Sequence, residues 1–349
     1  MFIKKFGLSR FRNITESVFS FHPRFNIFVG QNGQGKTNFL EAIYLLAFGK
    51  SFRVQDFRDL IGWGSSEALV RAWVDNGIGD EERGLRLTQE KKSAHRNGKA
   101  ASPNQFKTLP VVLFAPEAIL LLKDSPQARR EYIDDLISQC SPAYVPILRR
   151  YKKALQQRNR ILSDEMLSLS EKRKQSELWE IPLHEEGKIL VRERRRWLEI
   201  YNRFLEKHYD QIAGQPTRAD LFYEPNAEEN LFTDKQSEAR EEELARGLSL
   251  VGPHRDHLTG RLGEKPIRHF GSQGEQRTFT LAMKLAEIQL LEETLQFSPI
   301  LLLDDILSEL DPSRSRFFFE YLKEFKGQVF VTATHRELFP ESVFQDYLG

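Results

Sequence analysis

Residues 30–37, reading GQNGQGKT, follow the apolar run FNIFV and open onto NFLEAIYLLAF, and no other feature constrains the chain as tightly. A strand, a glycine-rich turn and an amphipathic helix in that order cradle the phosphates of a nucleotide. The glycines let the backbone curl so that successive N–H groups point inward. The helix beginning near Lys36 aims the positive end of its dipole at the same point. Gly30, Gln31, Asn32, Gly33, Gln34 and Gly35 line this cradle. Lys36 is placed to reach the β- and γ-phosphates, and the Thr37 hydroxyl to take one place on a magnesium ion bridging them. The spacing predicts a site for ATP or GTP with Mg2+.

A chain of 349 residues can bury a large core, and its length suggests two domains or one domain with a sizeable insertion. No run approaches the length of a membrane span, and the opening MFIKKFGLSR lacks the apolar centre of a signal peptide, so a cytoplasmic protein with no membrane partner is expected. The single Cys140 can make neither an internal disulfide nor a thiolate metal cluster, and reads as a small buried apolar residue. A net charge of +1 does not by itself favour nucleic acid. Residues 147–203, however, hold 15 Lys and Arg against 9 Asp and Glu, while the rest of the chain holds 36 against 41, so one segment is basic.

The first part alternates as strands do, in FIKKFGL, ESVFSF and FNIFV. Between the first two, Phe11, Arg12 and Asn13 form either a plain turn or a polar pair that reaches the edge of the nucleotide base. The helix ending near Phe48 leads into a loop carrying Arg53 and Arg58. ALVRAWV, GLRLTQ and SAHRNGKA then predict an antiparallel sheet beside the nucleotide-binding core, with Asn97 and Gly98 as a hairpin turn. VVLFAPE reads as a short buried strand stopped by Pro116.

From Pro126 the pattern is helical, with Tyr144, Leu148, Tyr151, Leu155 and Leu162 recurring mostly every three or four residues. A polar stretch over 163–186, with Pro182 and Gly187, predicts a break, after which Leu190, Trp197, Tyr201, Phe204 and His208 resume the stripe. Two helices of ~25 residues would make an arm ~40 Å long. Its bases at 149–153, 172–174 and 192–196 are either a solvated helix face or phosphate contacts. Residues 211–243 are expected to carry the chain back with little regular structure. The expected division is a head over 1–118 and 212–349, interrupted by an inserted arm over 119–211.

Strands are expected to resume at Leu248, before a second chemical cluster. Ser272, Gly274 and Gln276 sit just before a helix whose apolar face includes Phe279, Met283, Ala286 and Leu290. They make either a second anion-binding end or simply a capped helix start. PILLLDD is an apolar strand ending in two carboxylates, and ligands bind at the carboxyl ends of such strands. Asp304 is placed to hold the magnesium shell, and Asp305 to accept a hydrogen bond from an attacking water. GQVFVTAT delivers His335 to the same edge, as a structural residue or as part of the site.

With GQNGQGKT, SQGEQ, LLLDDILSELD and VTATH in this order, the chain resembles the ABC-type ATPases, and among them the SMC-like heads. NGQGKTNFLEAIYLLAFGKSFR, VVLFAPEAILLLKDSPQARREYID, VGPHRD and GSQGEQRTFTLAMKLAE narrow the resemblance to the bacterial RecF recombination proteins. The resemblance implies an α/β fold: an ABC-type P-loop ATPase head of mixed sheet plus antiparallel subdomain, with an inserted α-helical arm. It implies a weak ATPase that forms an ATP-dependent homodimer and binds DNA at junctions of single and double strand. RecO and RecR are the implied partners, with RecA engaged indirectly. It further implies that residues 30–37 bind the triphosphate, that Thr37 and Asp304 hold Mg2+, and that Asp305 stands where transporter relatives have glutamate. Ser272 and Gly274 would touch the γ-phosphate bound by the other copy, and His335 would sense that phosphate. Two positions depart from the pattern: Ala115 stands where many ABC proteins have glutamine, and His257 replaces an acid in GPHRDH.

A transport ATPase subunit would share the phosphate loop, the signature and the Asp pair, but not the basic helical insertion or the FRN and VGPHRD segments. A chromosome-tethering protein would need coiled coils far longer than this insertion.

Overall fold

Apolar runs without polar alternation need cover on both faces, and four of them form a parallel sheet. The computed structural model describes residues 1–101, 109–115, 125–306 and 310–335. Strands β3 (Phe25–Val29), β8 (Val111–Phe114), β12 (Ile300–Asp304) and β13 (Val329–Ala333) lie in the order β3-β13-β12-β8, all parallel. Every residue of β12 and β13 is buried. Strands β1 (Phe2–Phe11), β2 (Ile14–Ser20), β4 (Glu67–Asp75), β5 (Asp80–Thr88), β6 (Lys92–Arg96) and β7 (Lys99–Ala101) form a separate antiparallel sheet in the order β2-β1-β4-β5-β6-β7. The expected head sheet with its antiparallel subdomain is met by this four-stranded parallel sheet and the six-stranded antiparallel one. Asn97 and Gly98, both left-handed at φ 49° and 73°, make the predicted two-residue hairpin.

Helix α1 (Lys36–Phe48) follows the glycine-rich turn and is apolar almost all round, so it is buried in a core shared by both sheets. Phe39 sits at the centre of this core, its ring 5.3 Å from that of Phe6, 5.2 Å from Phe19, 5.5 Å from Phe21 and 4.7 Å from Phe28. The helix that presents Lys36 and Thr37 is therefore held by aromatic contacts from several strands.

The chain divides into two compact units, one of residues 1–120, 211–214 and 277–349, the other of 121–210 and 215–276. Residues 215–276, expected in the head, group instead with the helices. The second unit contains α2 (Pro126–Cys140), α3 (Tyr144–Ser163), α4 (Leu169–Glu177), α5 (Glu180–Ala213) and α6 (Phe232–Arg246). It also holds β9 (Ala219–Glu224), β10 (His257–Leu262) and β11 (Lys265–Pro266) in one antiparallel sheet. Helix α7 (Ile267–Phe270) follows. Helix α8 (Gln273–Leu295) begins in the second unit and ends in the first, and α9 (Pro312–Glu324) belongs to the first.

Three expectations for this region are corrected. Helix α5 runs unbroken for 34 residues through both predicted breakers. Pro182 lies in its first turn, where an N–H has no intrahelical acceptor. Gly187 has no room for a side chain, since a Cβ there would meet the Phe232 ring at 2.9 Å. Residues 211–243 contain β9 and most of α6 rather than irregular chain, and the strand expected from Leu248 starts only at His257. Pro116, Ser308 and Glu309 of the SELD segment, and the region around residue 118 lie outside the described residues.

The second unit is tied together by buried charge. Arg194, 3% exposed, donates to both carboxylate oxygens of Asp134, and to Asp256 Oδ2 and the Pro253 carbonyl at 2.8 Å each. Tyr144 donates to Asp134 at 2.7 Å, while Tyr223 and the Asn226 N–H donate to Asp256. Arg158, 1% exposed, bonds Ser249 Oγ and Glu243. These contacts draw 249–256 and α6 onto α3 and α5, which is why 215–276 joins this unit. The basic run 192–196 is accordingly not one surface: Arg194 points inward, Arg195 pairs with Glu228 at 2.8 Å, and Arg196 lies 3.7 Å from Glu193.

Loop 249–256 is further fixed by Gly252, whose φ of 130° suits glycine, and where a Cβ would come within 2.5 Å of the Tyr151 hydroxyl. That hydroxyl donates to His254 Nδ1 at 2.6 Å, because His254 Nε2 must donate to the Ser249 carbonyl at 3.0 Å. Burial, reinforced by the nearby cations Arg255, Arg130 and Arg158, pushes His254 down to about 4.

Replacing Arg194 by Met strands two buried carboxylates, so denaturant unfolding is expected to show a loss of roughly 3–5 kcal/mol. For His254 the folded pKa lies below the unfolded value. Its stabilising contribution is therefore full above about pH 6.5 and drains as the unfolded chain takes up the proton on acidification towards pH 4. The thermal midpoint of the native chain is expected to fall more steeply between pH 7 and 5 than that of His254→Gln. Equal slopes would remove His254 from the account.

Candidate functional site

The phosphate loop takes its shape from three glycines. Gly33 and Gly35 are left-handed, at φ 84° and 94°, and a Cβ on Gly30 would meet Gln34 Oε1 at 2.2 Å. Gly35 precedes α1 without any side-chain cap, so the first N–H groups of that helix face the loop unanswered by a neighbouring side chain. Lys36 Nζ donates to the carbonyls of Gly30 at 2.5 Å and Gln31 at 2.9 Å, which holds its ammonium over the loop. A positive ammonium, a helix N-terminus and an inward-curled backbone together can hold a polyphosphate.

The parallel sheet carries Asp304 to this loop. Its Oδ1 accepts from Thr37 Oγ1 at 3.0 Å and from Thr332 Oγ1 at 2.7 Å, and the residue is only 5% exposed. Burial pushes its pKa up, against the lowering pull of the Thr332 and Thr37 hydroxyls. A hard divalent cation suits this pair: both donors are oxygens, and a positive charge would relieve the buried carboxylate. Mg2+ is an ion that takes one or two protein oxygens and completes its shell with water and phosphate.

Asp305 adopts a left-handed φ of 46° and its N–H donates to Thr332 Oγ1 at 3.1 Å. Non-glycine residues rarely sit there, and the bend turns the chain just beyond Asp304. The strand leading to His335 lies beside the one that enters the loop, with Ala333 paired to Val29 and the Gly30 N–H donating to the Ala333 carbonyl at 3.3 Å. His335, two residues on, is exposed. The first unit thus brings residues 30–37, Asp304, Asp305 and the strand before His335 to one sheet edge.

Ser272, Gly274 and Gln276 belong to the second unit. Ser272 and Glu275 form a reciprocal cap at the start of α8. The Ser272 N–H and hydroxyl both donate to Glu275 Oε2 at 2.7 Å, and the Glu275 N–H donates to Ser272 Oγ at 3.3 Å. The Gln276 amide donates to the Gly271 carbonyl at 2.9 Å. Of the two readings of SQGEQ, the capped helix start is the one seen, with the Ser272 hydroxyl engaged by the carboxylate of Glu275.

Several participants escaped the sequence analysis. Thr332 bonds both Asp304 and Asp305 but looks like an ordinary strand residue. Glu41, fully buried on the apolar α1, accepts from Arg12 at 2.8 and 3.0 Å and from Ser51 Oγ at 2.5 Å. Of the two readings of FRN, the structure favours the turn: Arg12 is held by Glu41, while Asn13 donates to the Gly33 carbonyl at 3.3 Å and accepts from Asn38 at 2.8 Å. Asn13 therefore braces the loop. Ala115, at the glutamine position, is fully buried, and His257 is exposed at the start of β10.

The chain is similar to known proteins along nearly its whole length. The profile of the RecF/RecN/SMC N terminal domain matches residues 2–347. The DNA replication and repair protein RecF of Geobacter metallireducens is 38% identical over 346 residues, covering 96% of this chain and 93% of that protein. RecF of Geobacillus thermodenitrificans is 39% identical over 356 residues with the same coverage. The solved structure of the recombination mediator protein RecF with ATP in the RecFOR pathway superposes with a TM-score of 0.86 at 29% identity, covering 96% of this chain and 92% of that one. An Smc head bound to the C-winged helix domain of ScpA, at 18% identity and a TM-score of 0.54, shares the fold. No described helix is long and apolar enough to cross a membrane. With the ABC-type head fold, the phosphate loop joined to Asp304, and relatives matching along nearly the whole chain, this chain belongs to the RecF family.

Proposed function

We propose that this chain is a cytoplasmic, ATP-dependent DNA-binding recombination mediator that works as a switch with weak ATPase activity. Residues 30–37 hold ATP. Thr37 and Asp304 hold Mg2+, which when bound would neutralise phosphate charge. Asp305 accepts a hydrogen bond from the water that attacks the γ-phosphate, and His335 contacts that phosphate. The first unit is the nucleotide-binding head and the second the lobe that carries the helical arm. The observation carrying this reading is the 3.0 Å bond from Thr37 to Asp304, which joins the phosphate loop to a buried strand-end carboxylate.

Each copy offers Ser272, Gly274 and Gln276 to the triphosphate held by the other, so ATP favours the homodimer by mass action and hydrolysis releases it. At that contact Glu275 gives up the Ser272 hydroxyl to the γ-phosphate. The ATP-closed pair binds DNA at gaps, where single and double strands meet, and acts with RecO and RecR to place RecA in repair and replication restart. The support is membership of a family whose members are named for DNA replication and repair and for the RecFOR pathway.

Light-scattering mass measured with ADP and with ATP, for the native chain and Lys36→Ala, tests this. Only native protein with ATP is expected to double in mass. A native chain that keeps one mass in both nucleotides would refute the switch.

A further inference from the structure

Most guanidiniums of the second unit are answered by carboxylates: Arg150 by Glu186, Arg158 by Glu243, Arg195 by Glu228 and Arg240 by Glu180. Arg130 and Arg255 are held differently. Arg130 NH1 donates to the Asp256 carbonyl at 2.9 Å, and Arg255 donates through Nε and NH2 to the Ser249 carbonyl at 3.3 and 3.2 Å. Neither has an ion-pair partner among the described residues, and both are half-buried.

The charges around them do not balance. Asp134 and Asp256 are both spent on Arg194, and the second oxygen of Asp256 accepts from the Asn226 N–H. Three guanidiniums thus share two carboxylates, leaving one positive charge in excess. Burial, followed by the charge of Arg194, pushes the pKa of Arg130 down against the raising pull of Asp256, and the charge of Arg255 lowers it further. The backbone carbonyls that fix the two forks cannot neutralise them. The loop presenting them is itself rigid, through Gly252, the Tyr151–His254 bond and the Arg194 cluster.

We propose that Arg130 and Arg255 together form a preformed contact for a phosphodiester group of nucleic acid. The proposal rests on the DNA-binding reading above. Two forked donors fixed in advance suit the oxygens of one phosphate, which brings the single negative charge the cluster lacks. Little side-chain entropy remains to be lost on binding, unlike for a lysine on a solvated helix face. The exposed pairs at Arg195 and Arg196, by contrast, are already neutralised by Glu228 and Glu193.

The test uses the full chain with ATP and a fluorescent gapped duplex, titrated from low to moderate NaCl. Arg130→Gln with Arg255→Gln keeps one donor at each carbonyl. Each lost phosphate contact lowers the slope of log affinity against log salt by about 0.9, and the pair holds one phosphate in each copy, so the double variant is expected to lose about 0.9 in slope for each copy on the DNA. Arg195→Gln with Arg196→Gln is expected to keep the native slope, and Arg130→Lys with Arg255→Lys to restore most of it. If thermal melting shows the double variant unfolded, each single Gln variant is expected to lose up to that amount. A folded variant with the native slope overturns the proposal. So does a native slope with weakened binding of a fluorescent ATP analogue, which would give the pair to nucleotide phosphate, or with weakened binding of an acidic peptide, which would give it to protein. A native chain that binds no duplex at all would instead refute the DNA reading.

Discussion

A carboxylate buried at the end of an all-apolar strand is costly to keep charged, and the phosphate loop is where that cost is answered. Asp304 reaches solvent hardly at all, and two hydroxyls bond its Oδ1 from opposite sides, one from the loop helix and one from the neighbouring strand. Those bonds require β12, β13 and α1 to hold one geometry. That geometry depends in turn on the Phe39 ring cluster and on the full burial of both strands. The interaction that would bind a cation is thus also the one that aligns the sheet with the loop. A carboxylate whose pKa is raised by burial is one that a nearby positive charge would stabilise.

The second unit uses buried charge for another purpose. Arg194, Asp134 and Asp256 face one another with their donors and acceptors almost fully matched, fixing a loop whose regular structure is a single 3-10 turn at Pro253–Arg255. A buried ion pair of this quality adds little net stability compared with an apolar replacement, but removing one member is severe. Its value here lies in position: it sets where Gly252, His254, Arg255 and Asp256 stand relative to α2 and α5. Charge spent inside the unit is also charge unavailable outside it. The basic composition of 147–203 therefore overstates how basic its surface is.

The parts written in local sequence were legible. Glycine spacing, Lys36, Thr37 and an apolar run ending at Asp304 are each a contiguous signal, and the hairpin at Asn97 and Gly98 needs only the φ preferences of two residues. What escaped was set by distant partners. Thr332 earns its place through Asp304, 28 residues away, and Glu41 through Arg12, 29 away. Helix α6 was missed because its buried positions include Gln236 and Glu243, which break the apolar stripe that periodicity detects. Arg194 could have been found: it falls four residues after Leu190 and three before Trp197, on the same face as the apolar stripe of α5. Helical phase carried information there that the charge count discarded.

The central claim is that Thr37 and Asp304 form the protein's share of a cation site that holds a triphosphate on residues 30–37. Its most direct test is electron spin resonance of Mn2+, added in place of Mg2+ together with a non-hydrolysable ATP analogue, reading the hyperfine coupling between manganese and the phosphorus nuclei. The native chain is expected to bind Mn2+ and the analogue together with a clear phosphorus coupling, and Asp304→Asn to weaken Mn2+ binding roughly 10- to 100-fold while remaining folded. Equal Mn2+ affinity and equal coupling in the two proteins would contradict the account.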